Sequence, residues 1–394
     1  MSFSTGTATS YTDLLDKLNT FLATNGTAFG PLFTGIGNGP ISAWSGGSES
    51  VAETVTVTFT SATAFNVVGS VSGAIGSGTA GTPFTSTKIN FTVTSGGTAF
   101  IAGDAFTLST APKWTAQRSV AGSEYIWTAP GNDGVSSIFV GAKAYSNISA
   151  DYYNWKMGGF NGYTSGNPFE TQPGSIINNT ALNGPSLTLW NSSTPYWFIA
   201  NGRRVVIVAQ ISTVWVVGYL GLISTYPSPG TYPYPLLVSG NLAFYSEPVA
   251  TSTNWRWSYV GAEITIPFME LNGSYSTLGT NECTGRLRLP SGGWAGLNNS
   301  AYTSAGPGVI ACWPWVPTTQ FQDVRPNLDG SYPLLPIMLT DAAPNIYGEP
   351  DGVMATTGHA NAAGNTFTVN FENWLVVQNI SRTTKRDYIA VRLG

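Results

Sequence analysis

Few side chains in this sequence are suited to acid–base, nucleophilic or metal chemistry. The chain has one histidine, His359, and two cysteines, Cys283 and Cys312. A serine hydrolase would need His359 as its base, but no GxSxG nucleophile motif occurs in the chain. The cysteines lack CxxC spacing, and one histidine cannot complete a zinc site with them. We therefore expect no metal and no cofactor. The two cysteines are either buried thiols or one disulfide.

Paired carboxylates offer another route to catalysis, since a glycosidase can work with two acidic residues flanking an aromatic-lined cleft. The candidates are Asp133, Asp151, Glu247, Glu263, Glu270, Asp323, Asp329 and Glu372. They are scattered singly, and some occupy turn sequences such as GNDG. We interpret them as turn and loop carboxylates and predict that the chain is not an enzyme, with a glycan-degrading activity as an alternative.

Aromatic side chains could contact a ligand or a partner, because flat rings stack on sugar faces and are common at protein interfaces. The candidates lie in turn-rich sequence and in the proline-rich segment YPSPGTYPYP. They are Trp255, Trp257, Trp294, Trp313, Trp315, Tyr226, Tyr232 and Tyr234. Ordinary use in the core or at interfaces is the favoured interpretation, and a glycan-binding platform is the alternative.

The elements that would position these residues are mainly strands. Of 394 residues, 42% are hydrophobic and only 9% are charged, while 46 glycines and 24 prolines supply turns. Short aromatic and β-branched runs recur between these turns, including the nearly continuous apolar stretch over 205–223. An Asn201-Gly202 pair between two such runs predicts a hairpin. We predict an all-β fold of β-sandwich-type domains.

One helix is predicted, at the start of the chain over residues 11–25. Ser10 can cap it, Asp13 lies in its first turn, and leucines recur at helical spacing before Gly26. Its apolar face packs either on its own domain, which is favoured, or on a neighbouring subunit.

A composition shift predicts an inserted module. Residues 49–112 are rich in Val, Thr, Phe and Gly, contain no tryptophan, and alternate with period two in runs such as VTVTF. We expect a small β-sandwich here. The predicted organisation is 1–48 for the helix and the start of the main β-domain, 49–112 for the module, and 113–394 for the main aromatic-rich domain with up to two subdomains.

Charge and hydropathy exclude several classes of partner. The net charge is -4, without a basic run, so we expect no nucleic-acid binding. Serine and threonine interrupt the longest apolar stretch, so we expect no membrane insertion. The N-terminus lacks the basic start and apolar core of a secretory signal. We expect synthesis in a cytoplasm without export by that route.

Several blocks resemble virion structural proteins of tailed bacteriophages from the tail, baseplate and fibre region. They are TGTATSYTDLLDKLNTFLATNG, APGNDGVSSIFVGAKAYSNISADYYNWKMGGFNGY, WNSSTPYWFIANGRRVVIVAQISTVWVVGYLGLISTYPSPGTYPYPLLVSG, NIYGEPDGVMATTGH and KRDYIAVRLG. The module at 49–112 is also similar to a small β-domain found within phage structural proteins. The resemblance implies a non-enzymatic virion part made in the host cytoplasm, and it supplies no catalytic residues.

Composition and resemblance together predict a structural subunit of the phage tail or baseplate that mediates assembly and fibre attachment. Low charge reduces the desolvation cost of large interfaces, so we expect a homo-oligomer, trimer or hexamer, in contact with other tail proteins. The alternatives are a receptor-binding tail protein that binds a bacterial surface glycan, a glycan-degrading tail enzyme, and a decoration or fibre protein of the head.

Overall fold

A computed structural model describes residues 2–177, 185–228, 230–241, 267–269, 282–298, 309–314, 325–327, 330–341, 345–369, 372–380 and 384–393. The prediction of an all-β, sandwich-type fold with one helix near the N-terminus is confirmed for these residues. Two short 3-10 turns, Ile148–Ala150 and Phe169–Thr171, accompany the strands.

The chain opens with strand β1 (Ser2–Ala8) and helix α1 (Tyr11–Thr24). Ser10 caps the helix by accepting a hydrogen bond from the Asp13 N–H at 3.0 Å. The predicted leucine stripe is buried and packs with residues of the same chain, among them Trp127. The interpretation that the helix packs on its own chain is therefore confirmed.

The small β-sandwich consists of two sheets. The five-stranded sheet has the order β2-β9-β4-β5-β6 and the three-stranded sheet the order β3-β8-β7. Their strands are β2 (Thr27–Thr34), β3 (Ile41–Gly46), β4 (Glu53–Phe59), β5 (Ala64–Gly69), β6 (Gly73–Thr79), β7 (Pro83–Thr85), β8 (Ile89–Val93) and β9 (Ala105–Ala111). Buried phenylalanines fill the space between the sheets, and Phe59 stacks on Phe100 with ring centroids 3.9 Å apart.

The sandwich begins earlier in the chain than residue 49. Strands β2 and β3 belong to its sheets, and Trp44, which is 5% exposed, lies in its core. The alternation in β2 is broken at Gly30-Pro31, where the pairing with β9 shifts register. This interruption hides the strand from a period-two search. The structure therefore places residues 27–111 in this unit, which we call the module.

A second five-stranded sheet follows the module. Its strands pair antiparallel in chain order, β10-β11-β12-β13-β14. They are β10 (Thr115–Val120), β11 (Glu124–Ala129), β12 (Ile138–Asn147), β13 (Tyr152–Phe160) and β14 (Ser186–Leu189). The indole N–H groups of Trp127 and Trp155 donate to Asn19 and Tyr11 of the helix, which fixes α1 against this sheet.

An eleven-stranded sheet forms the centre of the main body, in the order β1-β15-β16-β17-β19-β20-β21-β22-β24-β25-β18. Its strands after β1 are β15 (Thr194–Ala200), β16 (Arg204–Ile211), β17 (Val214–Leu222), β18 (Ser224–Thr225), β19 (Leu236–Ser239), β20 (Glu282–Arg288), β21 (Trp294–Asn298), β22 (Val309–Trp313), β24 (Met338–Thr340) and β25 (Ile346–Glu349).

The main body has a third sheet, in the order β23-β26-β29-β28-β27. It covers the face of the central sheet that lies away from β10–β14. Its strands are β23 (Leu335–Pro336), β26 (Val353–Thr356), β27 (Thr366–Val369), β28 (Glu372–Gln378) and β29 (Tyr388–Arg392). Alternate residues of β16 and β17 enter two different cores, one shared with β10–β14 and α1, the other with β26, β28 and β29. Burial on both faces explains why these strands read as continuous apolar runs.

The predicted hairpin at Asn201-Gly202 joins β15 and β16 and is confirmed. The centre of the turn lies one residue later than predicted: Asn201 pairs with Arg204, and Gly202-Arg203 form the centre. The carboxamide oxygen of Asn201 accepts hydrogen bonds from the N–H groups of Arg203 and Arg204. This side-chain turn holds Asn201 on the strand side of the loop.

Candidate contact surfaces

Three of the eight predicted aromatic contact residues lie together. Tyr232 and Tyr234 precede β19, and Trp294 begins β21 directly opposite Arg288 of β20. The Tyr232 hydroxyl donates to the carbonyl oxygen of Arg288, and the Arg288 guanidinium lies 5.2 Å from the Tyr234 ring centroid. The turn-rich sequence thus brings these rings to the same end of strands β19, β20 and β21.

The polar atoms of Tyr232, Tyr234 and Trp294 already make hydrogen bonds within the protein. The Tyr234 hydroxyl donates to the carbonyl oxygen of Phe160 at 2.9 Å and accepts from the Phe139 N–H at 2.9 Å. Burial raises the pKa of Tyr234 to about 12 and also raises the pKa of Tyr232, which is 2% exposed. The indole N–H of Trp294 donates to the Gly174 carbonyl oxygen at 3.1 Å. Tyr234 therefore links the segment before β19 to β12 and β13, and the buried ring of Tyr232 is not available for stacking on a sugar.

The other predicted aromatic residues are not part of this group. Tyr226 is 52% exposed and its hydroxyl donates to Glu349 at 3.2 Å. Trp313 is half-buried on β22 opposite Met338. The remaining three, Trp255, Trp257 and Trp315, lie outside the described residues.

The described members of the carboxylate set serve turns or ion pairs. Asp133 accepts hydrogen bonds from the N–H groups of Val135 and Ser136, and Glu372 binds Arg392 at 2.7 Å. Asp151 lies in a turn with φ of 52°. The remaining candidates, Glu247, Glu263, Glu270, Asp323 and Asp329, lie outside the described residues.

The single histidine and the described cysteine belong to different parts of the fold. His359 Nδ1 lies 3.2 Å from the Lys385 ammonium, and Cys312 is buried in β22. The side chain of Cys283 lies outside the described part of the structure. Among the described residues, no three His, Cys, Asp or Glu side chains lie close enough together to hold a metal ion. No helix in the described ranges is long and apolar enough to cross a membrane.

Many charged side chains of the main body pair with one another. Across β10, β11 and β12, Glu124 binds Arg118 at 2.6 Å and Lys143 at 3.7 Å. Glu170 in turn binds both lysines: its Oε1 lies 2.9 Å from Lys143 Nζ and 3.3 Å from Lys156 Nζ. Burial acts to raise the pKa of Glu170, but the hydrogen bond from Lys143 and the charge of Lys156 outweigh it and lower the pKa. Pairing of this kind neutralises charge on a chain that has little of it.

One surface that sequence reasoning did not single out is the outer face of the five-stranded module sheet. Side chains of β2, β9, β4 and β5 alternate between the phenylalanine-rich core and this face. The outer residues are Leu32, Thr34, Thr54, Thr56, Thr58, Asn66, Val68, Ala105, Thr107 and Ser109, which we call the module face. The signal was present in VTVTF, whose threonines occupy the outward positions.

The module face is exposed and carries no charge. Its ten residues are exposed or half-buried, and Leu32 and Val68 retain 69% and 47% of their surface. Leu32, Thr107, Thr56 and Val68 stand opposite one another across four strands and form one continuous row. Strands about 4.8 Å apart with a rise of about 3.3 Å per residue give a face of roughly 24 by 20 Å. Such an uncharged sheet surface suits contact with another protein surface.

No protein-family model matches the sequence, and no curated protein is similar to it. Among solved structures, a similarity is found to FlgL of Xanthomonas campestris, with 19% identity over 23% of this chain and a TM-score of 0.18. The matched part spans 33% of the FlgL chain. A likeness of this size carries no argument about fold or function.

Proposed function

We propose that the chain is a non-enzymatic structural subunit of a bacteriophage virion, in the tail or baseplate, where it mediates assembly and fibre attachment. The observation that carries this proposal is the module face, an exposed and uncharged sheet surface that contains Leu32 and Val68. The sequence resemblance to tail, baseplate and fibre-region proteins supplies the setting.

The size of the face favours a repeated assembly over a simple dimer. Its area is roughly 500 Å², below the about 800 Å² per partner of a standard stable interface. Several such contacts in one particle act together, because each added contact is made within an assembly already formed. We therefore propose a trimer or hexamer that contacts other tail proteins, is located in the virion and is made in the host cytoplasm.

The direct test is the protein content of purified phage particles from the strain that encodes the chain. Mass spectrometry with isotope-labelled standards should find the chain at a fixed copy number per particle that is a multiple of three. Absence from density-purified particles, with the chain abundant in the same lysate, would overturn the proposal. An abundant host cytoplasmic enzyme, measured in both fractions, controls for carry-over.

A charge placed on the module face tests whether that face carries the function. Thr54→Lys and Val68→Lys add a charge that must be desolvated in any contact, so we expect incorporation into particles to fall at least tenfold. Thr115→Lys, at an exposed strand position outside the module, is the matched control and should be incorporated normally. Normal incorporation of all three variants would remove the module face from the proposal.

A further inference from the structure

Three sheet edges converge where the module meets the main body. In the described sheets, β1 is the edge of the central sheet, β3 of the small module sheet and β27 of the third sheet. Edge strands present main-chain N–H and C=O groups that have no partner within their own sheet. Residues of all three edge strands line the two cavities described next.

Two cavities lie beside these edges, and Phe3 contributes to the lining of both. The first, about 520 Å³, is lined by Ser2, Phe3 and Ser4 of β1, by Ser45 of β3 and by residues of α1. The second, about 390 Å³, is lined by Phe3, by Ser42 to Trp44 of β3 and by Thr366 of β27. Phe3 is 40% exposed between them. We call the two cavities the Phe3 cleft.

The cleft has a nearly neutral lining. Apart from Lys17, its lining residues are hydroxyl, amide, aromatic or aliphatic side chains. A charged ligand would therefore find one counter-charge at most, whereas an uncharged segment with main-chain hydrogen-bonding groups matches both the edges and the walls.

The wall formed by β3 is unusual in two respects. Ala43 has φ of 53°, and the pairing of β3 with β8 shifts register between Ser42 and Ser45. Two lining residues, Thr27 and Trp44, are 2% and 5% exposed, and their hydroxyl and indole N–H have no hydrogen-bond partner among the described residues. Bulges are over-represented at sheet edges and next to functional sites, and a buried polar group without a partner is consistent with an unfilled binding site.

We propose that the Phe3 cleft accepts the exposed edge strand β6 of a second copy of this chain, by strand addition to β3. This inference rests on the proposed assembly function and names the contact between subunits. Strand β6 has the sequence GAIGSGT, carries no charge and is mostly exposed. It is the edge of its sheet opposite β2, so each module presents β3 at one end and β6 at the other.

The resulting contact is head-to-tail. The β6 end of one copy enters the cleft of the next, and the two participating surfaces are different parts of the chain. Contacts of this type close into rings or continue as helical stacks. The module face, between β2 and β6, remains open on such an assembly for a second partner.

The first test measures the solution mass of the full chain by light scattering over a concentration series. Wild type should form oligomers, and Phe3→Lys in the cleft and Ser77→Lys on β6 should each return the mass to that of one chain. Thr115→Lys should keep the wild-type mass. A monomeric wild type at every concentration, or either cleft or β6 variant with the wild-type mass, would overturn the proposal.

The second test does not depend on a variant folding. A synthetic peptide of residues 72–80 should bind wild-type protein in calorimetry and dissociate its oligomers, and the same peptide with Ser77→Lys should bind at least about tenfold more weakly. Equal binding of both peptides, or none, contradicts strand addition. Maltohexaose is the competing probe: saccharide binding that Phe3→Lys abolishes would assign the cleft to a glycan instead.

The two proposals fail in different ways. If the chain is present in particles but Phe3→Lys forms the same oligomers as wild type, the virion function stands and the cleft contact is wrong. If Phe3→Lys abolishes the oligomers but the chain is absent from particles, the cleft contact stands and the virion function is wrong.

Discussion

Asp351 connects three parts of the chain through one carboxylate. One oxygen accepts from Arg204 Nε at 3.3 Å and from the Asn201 amide, and the other lies 3.2 Å from Arg392 Nη2. Its main-chain N–H donates to the Tyr219 hydroxyl at 3.2 Å. The Arg204 side chain is 0% exposed, so Asp351 is a counter-charge that this guanidinium needs inside the protein.

We expect Asp351→Asn to lower the free energy of unfolding by about 3 kcal/mol at pH 7, the lower end of the range for breaking a buried ion pair. The amide keeps the shape of the side chain but removes the carboxylate charge that faces the buried Arg204 guanidinium. Urea denaturation followed by tryptophan fluorescence measures the change. Glu49→Gln, whose partner Lys88 lies 3.8 Å away and whose side chain is 65% exposed, is the control and should change little.

The same residue predicts how stability depends on pH. Burial acts to raise the pKa of Asp351, but the charges of Arg204 and Arg392 outweigh it and hold the pKa below its usual value of 3.8. The ionised carboxylate therefore stabilises the fold above pH 4, and this contribution is lost as the pH falls through the folded-state pKa. The difference between wild type and Asp351→Asn should shrink below pH 4, and a constant difference down to pH 2 would contradict this assignment.

At the scale of elements, the packing of the leucine stripe of helix α1 within the chain can be tested by substitution. Leu18 is fully buried with Trp127 and other residues of the main body. Leu18→Ala should lower the free energy of unfolding by about 3 kcal/mol, through lost transfer energy and the cavity left behind. Thr115→Ala, at an exposed strand position outside the helix and the Phe3 cleft, is the control. A Leu18→Ala variant that keeps wild-type stability would contradict the packing of this stripe within the chain.

Local signals predicted the elements that local chemistry determines. Ser10 and the leucine spacing identify the helix, and the Asn201 hairpin follows from turn preference, although its centre lies one residue later. Strand β2 could not be found this way, because Gly30-Pro31 interrupts its alternation. The Phe3 cleft could not be found either, since its walls come from residues 2–45, 114, 196–200 and 366–393, and only tertiary structure brings these together.

At the scale of the whole molecule, the module is attached where its two ends meet. Thr27 of β2 pairs with Ala111 of β9, so the chain leaves the main body and returns to it at neighbouring points. The buried residues of the module form a cluster of their own, separate from the two cores of the main body. An inserted unit whose contacts are mostly internal, and whose two ends lie close together, can fold largely independently of the domain that holds it.

We therefore predict that residues 27–111, expressed alone, fold into a β-sandwich with a cooperative thermal transition in circular dichroism. A unit of this size has modest stability, because small domains bury a smaller share of their surface. Phe59→Ala, which removes the ring stacked on Phe100, should cost about 3–5 kcal/mol and abolish folding of the isolated module, while Thr58→Ala on the outer face should leave it folded. If the isolated wild-type module is unfolded, its sheets depend on contacts with the main body, and the module ends are part of a joint core. A folded module would also supply β6 without the Phe3 cleft, so that it can cap the open cleft of full-length oligomers.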